Sequence, residues 1–333
     1  MHSLTAERER EALLSDLGPI IGAALSDPAV VEVMVNPDGK IWLDRVGEGR
    51  AWTGERMKAS DAESVLRLLA NHAGEVVNRD RPRVSATLPL TGERFQGAFM
   101  PLVSAPTFAI RKRPQLIFRL GDYVQAGVMS ERQADILRLA VVERWNIVVA
   151  GGTGSGKTTL LNALLAEEAF ASDRVILIED TAELQCSAAD CVQLLTKSTE
   201  PAVTMADLVR DVLRLRPDRI IGGEVRDGAT GLNLLKAWNT GHPGGCTSIH
   251  ANSAYEALTR LEDLIGEVTE QVSRRAIGQA VDLVVYIERT AGGGRRVHSI
   301  LRVATYDGNS YAVEPLDRDG DSEAPPGGAP AEL

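Results

Sequence analysis

The sequence predicts an α/β protein: a doubly wound, mostly parallel sheet, preceded by a separate N-terminal α+β domain. Three observations predict it. From Asn146 the chain reads NIVVAGGTGSGKTTLLNALL, an apolar strand, a glycine loop and a leucine-rich helical pattern in direct succession. From Ser130 onward, short apolar runs alternate with helical patterns, the signature of a parallel sheet covered on both faces. Before residue 112 helical patterns lead into strand-like pieces, among them the alternating stretch Val30–Asn36, which Pro37-Asp38-Gly39 turns into a second strand.

In the N-terminal part (residues 1–112), helical patterns over Glu7–Leu17 and Pro19–Leu25 lead into the alternating stretch Val30–Asn36. Pro37-Asp38-Gly39 then makes a turn to a second strand, Lys40–Asp44. Ser60-Asp61-Ala62-Glu63 resembles a capping box opening a helix through Ala70. Strands are expected over Arg83–Leu88, Arg94–Met100 and Pro106–Arg111, with a basic cluster at Arg111-Lys112-Arg113. Residues 113–129, with Pro114, Gly121 and Gly127, read as a linker.

The second domain spans residues 130–317. Ser130-Glu131-Arg132-Gln133 caps its first helix, and the glycine loop follows. Strands are then expected over Arg174–Ile178, Arg219–Ile221 and Cys246–Ile249. Helices are expected over Thr204–Leu215, Asp227–Trp238, Ser253–Ile265 and Thr269–Val281. Three late strands, Asp282–Glu288, Val297–Thr305 and Ser310–Glu314, are joined by glycine turns and read as antiparallel. The tail over residues 318–333 is acidic and rich in Pro and Gly, a composition that predicts disorder.

The loop Gly151-Gly152-Thr153-Gly154-Ser155-Gly156-Lys157-Thr158-Thr159 is a P-loop in its strand–loop–helix context. Glycines let backbone N–H groups curl around phosphates, and the following helix aims its positive end at the same anion. Lys157 should reach the β- and γ-phosphates, and the Thr158 hydroxyl should ligate Mg2+. The chain is therefore expected to bind a nucleoside triphosphate with Mg2+.

Hydrolysis also needs a group that orients water and charges that stabilise the transferring phosphoryl group. Three later segments offer candidates. Val175-Ile176-Leu177-Ile178 ends in Glu179-Asp180, carboxylates delivered to a sheet edge. Arg219-Ile220-Ile221-Gly222-Gly223 ends in Glu224-Val225-Arg226, where glycine precedes the acid and Glu224 is favoured as the water-orienting residue. Gly241–Asn252 carries two histidines, His242 and His250, around a glycine loop and a short strand, placed to sense the γ-phosphate.

Composition bounds the rest. The 333 residues are 44% hydrophobic and 25% charged, with a formal charge of −10, a poor match to general nucleic-acid binding. No apolar run approaches the ~18 residues of a membrane span. The charged start MHSLTAERERE lacks the apolar stretch of a signal peptide, so a cytoplasmic protein with at most peripheral membrane contact is expected. Cys186, Cys191 and Cys246 show no zinc spacing.

Taken in order, these segments resemble the secretion-ATPase superfamily that drives type II and type IV secretion and type IV pili. They match its Walker A loop, Asp box, Walker B and His box. Leu17-Gly18-Pro19-Ile20, Asp27-Pro28, Val33–Gly39 and Arg83-Val84-Ser85-Ala86 look like the TrbB-type conjugal transfer ATPases within it. The resemblance implies a RecA-like ATPase domain and a homo-oligomer, a hexameric ring. It also implies inner-membrane secretion-channel proteins as partners and a cytoplasmic location at the inner membrane. It makes Glu179 the Asp-box carboxylate, Glu224 the catalytic glutamate flanked by Arg226, and His250 the coupling residue. Arg111 and Arg113, and less directly Arg94, match the arginines that contact phosphates from the N-terminal domain. The absence of a four-cysteine zinc insertion argues against the type II branch. A pilus motor remains the alternative within the family. A nucleotide-gated scaffold without turnover and a DNA translocase are the alternatives outside it.

Overall fold

The computed structural model describes residues 2–46, 48–89, 92–113, 117–197 and 200–317, with side chains from Leu13 onward. The stretch from residue 318 expected to be disordered lies outside them. The chain divides into two compact units, Met1–Leu116 with Thr181–Glu183, and Ile117–Asp180 with Leu184–Leu333.

The N-terminal unit opens with helix α1 (His2–Ser26), which kinks at Gly18 (φ 78°) immediately before Pro19, consistent with two successive helical patterns. Six antiparallel strands follow among the described residues: β1 (Val30–Val35), β2 (Lys40–Arg45), β3 (Gly49–Arg56), β4 (Arg83–Thr87), β5 (Arg94–Ala98) and β6 (Thr107–Arg111). Their spatial order is β3-β2-β1-β6-β5-β4. Alternate residues Val33, Val35, Ile41, Leu43, Phe95, Phe108 and Ile110 share one core with Leu17 and Ile21 of α1 and with Val65, Leu66 and Leu69 of α2 (Ala59–His72). Two features depart from expectation. The edge strand β3 was not anticipated, because all eight of its residues are polar, small or exposed. Helix α2 begins at Ala59 with Lys58 at its N-cap, so Ser60 lies inside the first turn and bonds Asp61 rather than capping.

Part of the expected linker is folded. Residues 117–129 include helix α3 (Leu120–Gln125), whose Leu120 and Tyr123 are buried in the core of the second unit. Helix α4 (Glu131–Val142) starts at the anticipated capping box: the Gln133 N–H donates to Ser130 Oγ at 3.1 Å, and the Ser130 N–H donates to Gln133 Oε1 at 2.9 Å.

The second unit then runs β7 (Ile147–Gly151), α5 (Lys157–Leu165), β8 (Arg174–Glu179), β9 (Asp190–Leu195), α6 (Met205–Val212), β10 (Arg219–Gly222), α7 (Gly228–Asn239) and β11 (Cys246–His250). Helices α8 (Ala254–Gly266) and α9 (Arg274–Ala280) and strands β12 (Leu283–Arg289), β13 (Arg295–Tyr306) and β14 (Tyr311–Pro315) complete it. The sheet order is β14-β13-β12-β7-β11-β10-β8-β9. From β12 to β9 all neighbours are parallel, while β13 and β14 add on antiparallel.

The apolar runs of β7 and β8 feed two cores at once. Val148, Ala150, Ile176 and Ile178 pack with residues of α6 to α9, and Ile147, Val149, Val175 and Leu177 pack with residues of α3, α4 and α5. Burial on both faces explains why these strands lack polar alternation. Parallel strands all end at one edge, which is where such sheets collect their functional groups. Among the described residues, no helix is long and apolar enough to cross a membrane.

Candidate active site

At that edge the loop after β7 has the backbone of an anion cradle. Gly154 (φ 68°) and Gly156 (φ 102°) adopt left-handed conformations that side chains resist. Gly151 is required for space as well: a Cβ there would lie 2.3 Å from the Ile287 carbonyl oxygen of β12. Gly156 caps α5 without a side chain, so no side chain takes up the first N–H groups of this helix. Ser155 is buried, and its hydroxyl finds no hydrogen-bond partner among the described residues. Thr153 is exposed at the tip of the loop, while Thr158 and Thr159 lie half-buried in the first turn of α5.

Lys157 folds back over this loop. Its Nζ donates to the carbonyls of Gly151 (3.1 Å) and Gly152 (3.2 Å) and stands 3.5 Å from Glu224 Oε1. Glu224 is carried there by a strapped turn. The Gly223 N–H donates to the Ile178 carbonyl (2.9 Å), the Val225 N–H to the Ser248 carbonyl (2.8 Å), and Ser248 Oγ to the Gly223 carbonyl (2.8 Å). The glycine before Glu224 has a steric reason, since a Cβ at Gly223 would sit 3.1 Å from Glu179 Cγ. Burial pushes the Glu224 carboxyl up, but its hydrogen bond to Arg226 and the charges of Arg226 and Lys157 outweigh burial and hold it below the ordinary value.

The last residue of β8, Glu179, and the next, Asp180, have different surroundings. Glu179 is buried and accepts hydrogen bonds from the Leu184 N–H (2.8 Å) and from Gln193 Nε2 (2.6 Å). Asp180 is exposed and accepts from Arg226 Nη1 (2.9 Å) and from Thr196 Oγ1 (3.1 Å). Asp180, Thr196, Lys197, Thr204, Glu224 and Arg226 line part of a cavity of ≈ 280 Å³.

The histidines separate. His250, the last residue of β11, is exposed and in register with Gly151 of the P-loop strand. His242 precedes β11, at the other end of that strand, with its Nδ1 3.2 Å from the Ala237 carbonyl. Arg111 and Arg113 belong to the N-terminal unit: Arg111 ends β6 opposite Arg94 of β5 and Glu32 of β1, and Arg113 Nε donates to the Gly92 carbonyl (3.0 Å). Sequence reasoning did not select Asp180, which adjoins Glu179 in the same acidic pair. It also passed over Arg289 and Arg295, which reach the P-loop from the β12–β13 hairpin. A Cβ at Gly154 would lie 3.8 Å from Arg289 Nη1, and one at Gly156 would lie 3.0 Å from Arg295 Cδ. Their only sequence signal is a pair of arginines flanking a glycine turn.

These residues suit a nucleotide with Mg2+. The orphaned Ser155 hydroxyl and the glycine cradle match phosphate oxygens. Among the described residues, no three His, Cys, Asp or Glu side chains converge into a metal cage. An ion held by Thr158, phosphate oxygens and water needs none.

A family model described as "Type II/IV secretion system protein" matches residues 56–291. The conjugal transfer protein TrbB of Rhizobium radiobacter is 49% identical over 304 residues, covering 91% of this chain and 92% of that one. The type IV secretion system protein PtlH of Bordetella pertussis is 33% identical, covering 82% and 89%. In fold, the ATPase DotB of Legionella pneumophila matches with a TM-score of 0.58 at 19% identity, covering 85% of this chain and 79% of that one. The chain thus belongs to the type II/IV secretion system protein family, among its TrbB-type conjugal transfer ATPases.

Proposed function

We propose that the second unit is a RecA-like, doubly wound P-loop domain that hydrolyses ATP to ADP and phosphate in an Mg2+-dependent reaction. Turnover would drive assembly of, or transfer through, a conjugative type IV secretion machinery. One observation carries the reading: Lys157, a phosphate-binding cation, stands 3.5 Å from Glu224, an acid able to ready a water.

In this mechanism the loop amides of residues 151–156 and the first turn of α5 bind the polyphosphate. Lys157 exchanges the Gly151 and Gly152 carbonyls for the β- and γ-phosphates, which releases its hold on Glu224. Glu224 then orients the attacking water, kept ionised by Arg226. Thr158 would hold Mg2+, which when bound neutralises charge on the phosphates. Glu179 supports the acidic edge from within, and His250, one strand over from the P-loop, reports loss of the γ-phosphate. Arg111 and Arg113 are proposed to assist phosphate binding, on the resemblance alone.

Similarity to the secretion proteins supports the wider setting: a homo-hexameric ring on the cytoplasmic side of the inner membrane, engaging secretion-channel proteins. Direct nucleic-acid binding is not part of the proposal. Phosphate release tests the chemistry: Glu224→Gln should bind ATP yet lose at least about 100-fold in kcat, and Lys157→Ala should lose binding as well. Turnover near wild type in Glu224→Gln would overturn the assignment.

A further inference from the structure

Sheet order sets the direction in which a nucleotide lies. The acids Glu224 and Asp180 follow β10 and β8, which stand on one side of β7; β12 and β13 stand on the other. A triphosphate cradled by the loop after β7, with its γ end toward Glu224, therefore points its nucleoside end at the β12–β13 hairpin.

Two arginines meet it there. Arg289 ends β12, Arg295 begins β13, and the register places them directly opposite each other. Like charges facing each other across a ladder are unfavourable. Among the described residues, neither guanidinium has a hydrogen-bond or ion-pair partner, whereas the adjacent Arg296 pairs with Glu288 at 2.9 Å. Arg295 instead runs along bare backbone: its Cδ and Nε lie 3.0 and 3.2 Å from where a Gly156 Cβ would be. The hairpin base is pinned by the Val297 N–H, which donates to the Val128 carbonyl at 2.7 Å and ties it to the segment just after α3.

We propose that Arg295, with Arg289 behind it, is the nucleoside wall of this site. The Arg295 guanidinium, always charged and planar, would lie on the face of the purine base. The inference rests on the ATPase reading and adds a residue that recognises the base rather than the phosphates.

The test is equilibrium binding to the full chain, by calorimetry, of two probes: the non-hydrolysable ATP analogue with an imido β–γ bridge, and inorganic tripolyphosphate. Arg295→Ala should weaken the analogue about tenfold, within the range of a desolvated cation–π contact, and leave tripolyphosphate unchanged. Unchanged tripolyphosphate binding also shows that the variant is folded. Arg295→Lys should not restore affinity, because a point charge cannot stack as a plane does. An equal loss for both probes would mean that Arg295 holds phosphate and would overturn the inference. So would an unchanged affinity for the analogue. If wild type binds neither probe, the P-loop reading itself falls; if wild type binds both and Arg295→Ala matches it, only the base contact falls.

Discussion

Arg226 ties together two carboxylates that follow different strands: its Nε donates to Glu224 Oε2 at 2.7 Å and its Nη1 to Asp180 Oδ2 at 2.9 Å. Burial raises the Glu224 carboxyl, and Arg226 together with Lys157 more than reverses it. Removing Arg226 leaves the burial and takes away the counter-charge, so protonation moves to higher pH. A lowered carboxylate stays ionised until pH falls through its own value, here below the ordinary 4.5. The acid limb of kcat/KM, which reports the free enzyme, should therefore rise in pH for Arg226→Ala. Rates measured from well below pH 4.5 up to neutral pH check this, and an acid limb that stays in place would remove Arg226 from the role.

Glu179 makes a separate prediction, because its oxygens are engaged by its own neighbourhood. Truncation to Ala would strand the Leu184 N–H beside a buried space, whereas exposed Gln193 keeps water and the Leu184 carbonyl as acceptors. Leaving buried donors unsatisfied costs roughly 1–3 kcal/mol. Urea denaturation of Glu179→Ala should show that loss, and Glu179→Gln should recover most of it by keeping one acceptor oxygen. If Glu179→Gln is fully stable and nevertheless inactive, the carboxylate charge has a catalytic use beyond holding the loop.

Legibility followed locality. The Ser130–Gln133 box and the strand, glycine loop and helix from Ile147 to Leu165 are written in contiguous residues, and each element forms where its spacing predicts. The order of strands in the large sheet is not local. Without it, nothing in the sequence says that Arg289 and Arg295 stand beside Gly154 and Gly156, more than 130 residues earlier in the chain. Strand β9 (DCVQLL) was missed because as an edge strand it buries little, and its six residues range from half-buried to exposed. Helix α3 was missed because six residues, one of them Gly121, carry little periodicity; the burial of Leu120 and Tyr123 holds it in place. Within Glu179-Asp180 the composition is symmetric, and only the structure separates the buried anchor from the acid that meets Arg226.

At the opposite end of β10 from Glu224, Arg219 is 2% exposed and donates to Asp173 Oδ2 at 2.6 Å. Its Nη1 also donates to the Val141 carbonyl (3.0 Å), and its guanidinium lies 4.4 Å over the Phe170 ring. Asp173 is shared with Arg144. Asp173→Ala strands Arg219 as an unpaired buried charge, a loss of roughly 3–5 kcal/mol. Arg219→Leu should cost less, since Arg144 still neutralises Asp173 and the leucine fills apolar space. Denaturation curves should rank the two in that order, with ATP turnover at low temperature little changed in either. The reverse ranking would mean that packing on Phe170, rather than charge, dominates.

Gly228 links stability to the turn that carries Glu224. It is the first residue of α7, immediately after the N-cap Asp227, whose Oδ1 accepts the Thr230 N–H at 2.8 Å. A Cβ at Gly228 would lie 1.9 Å from the Leu264 carbonyl oxygen and 3.0 Å from Ile265 Cα, both backbone atoms of α8. Neither can rotate away, so Gly228→Ala has to push α7 from α8. Overpacking of this kind costs about 1–3 kcal/mol. Asp227 and Glu224 sit on the connection that enters α7, so the displacement reaches the acid as well. The expected result is a lower denaturation midpoint together with a lower kcat at a temperature where the variant is still folded. Asp227→Asn, which keeps the cap and the helix contact, should spare both. A Gly228→Ala variant that loses stability with kcat intact would show that the turn bearing Glu224 is held by its bonds to β8 and β11 independently of α7.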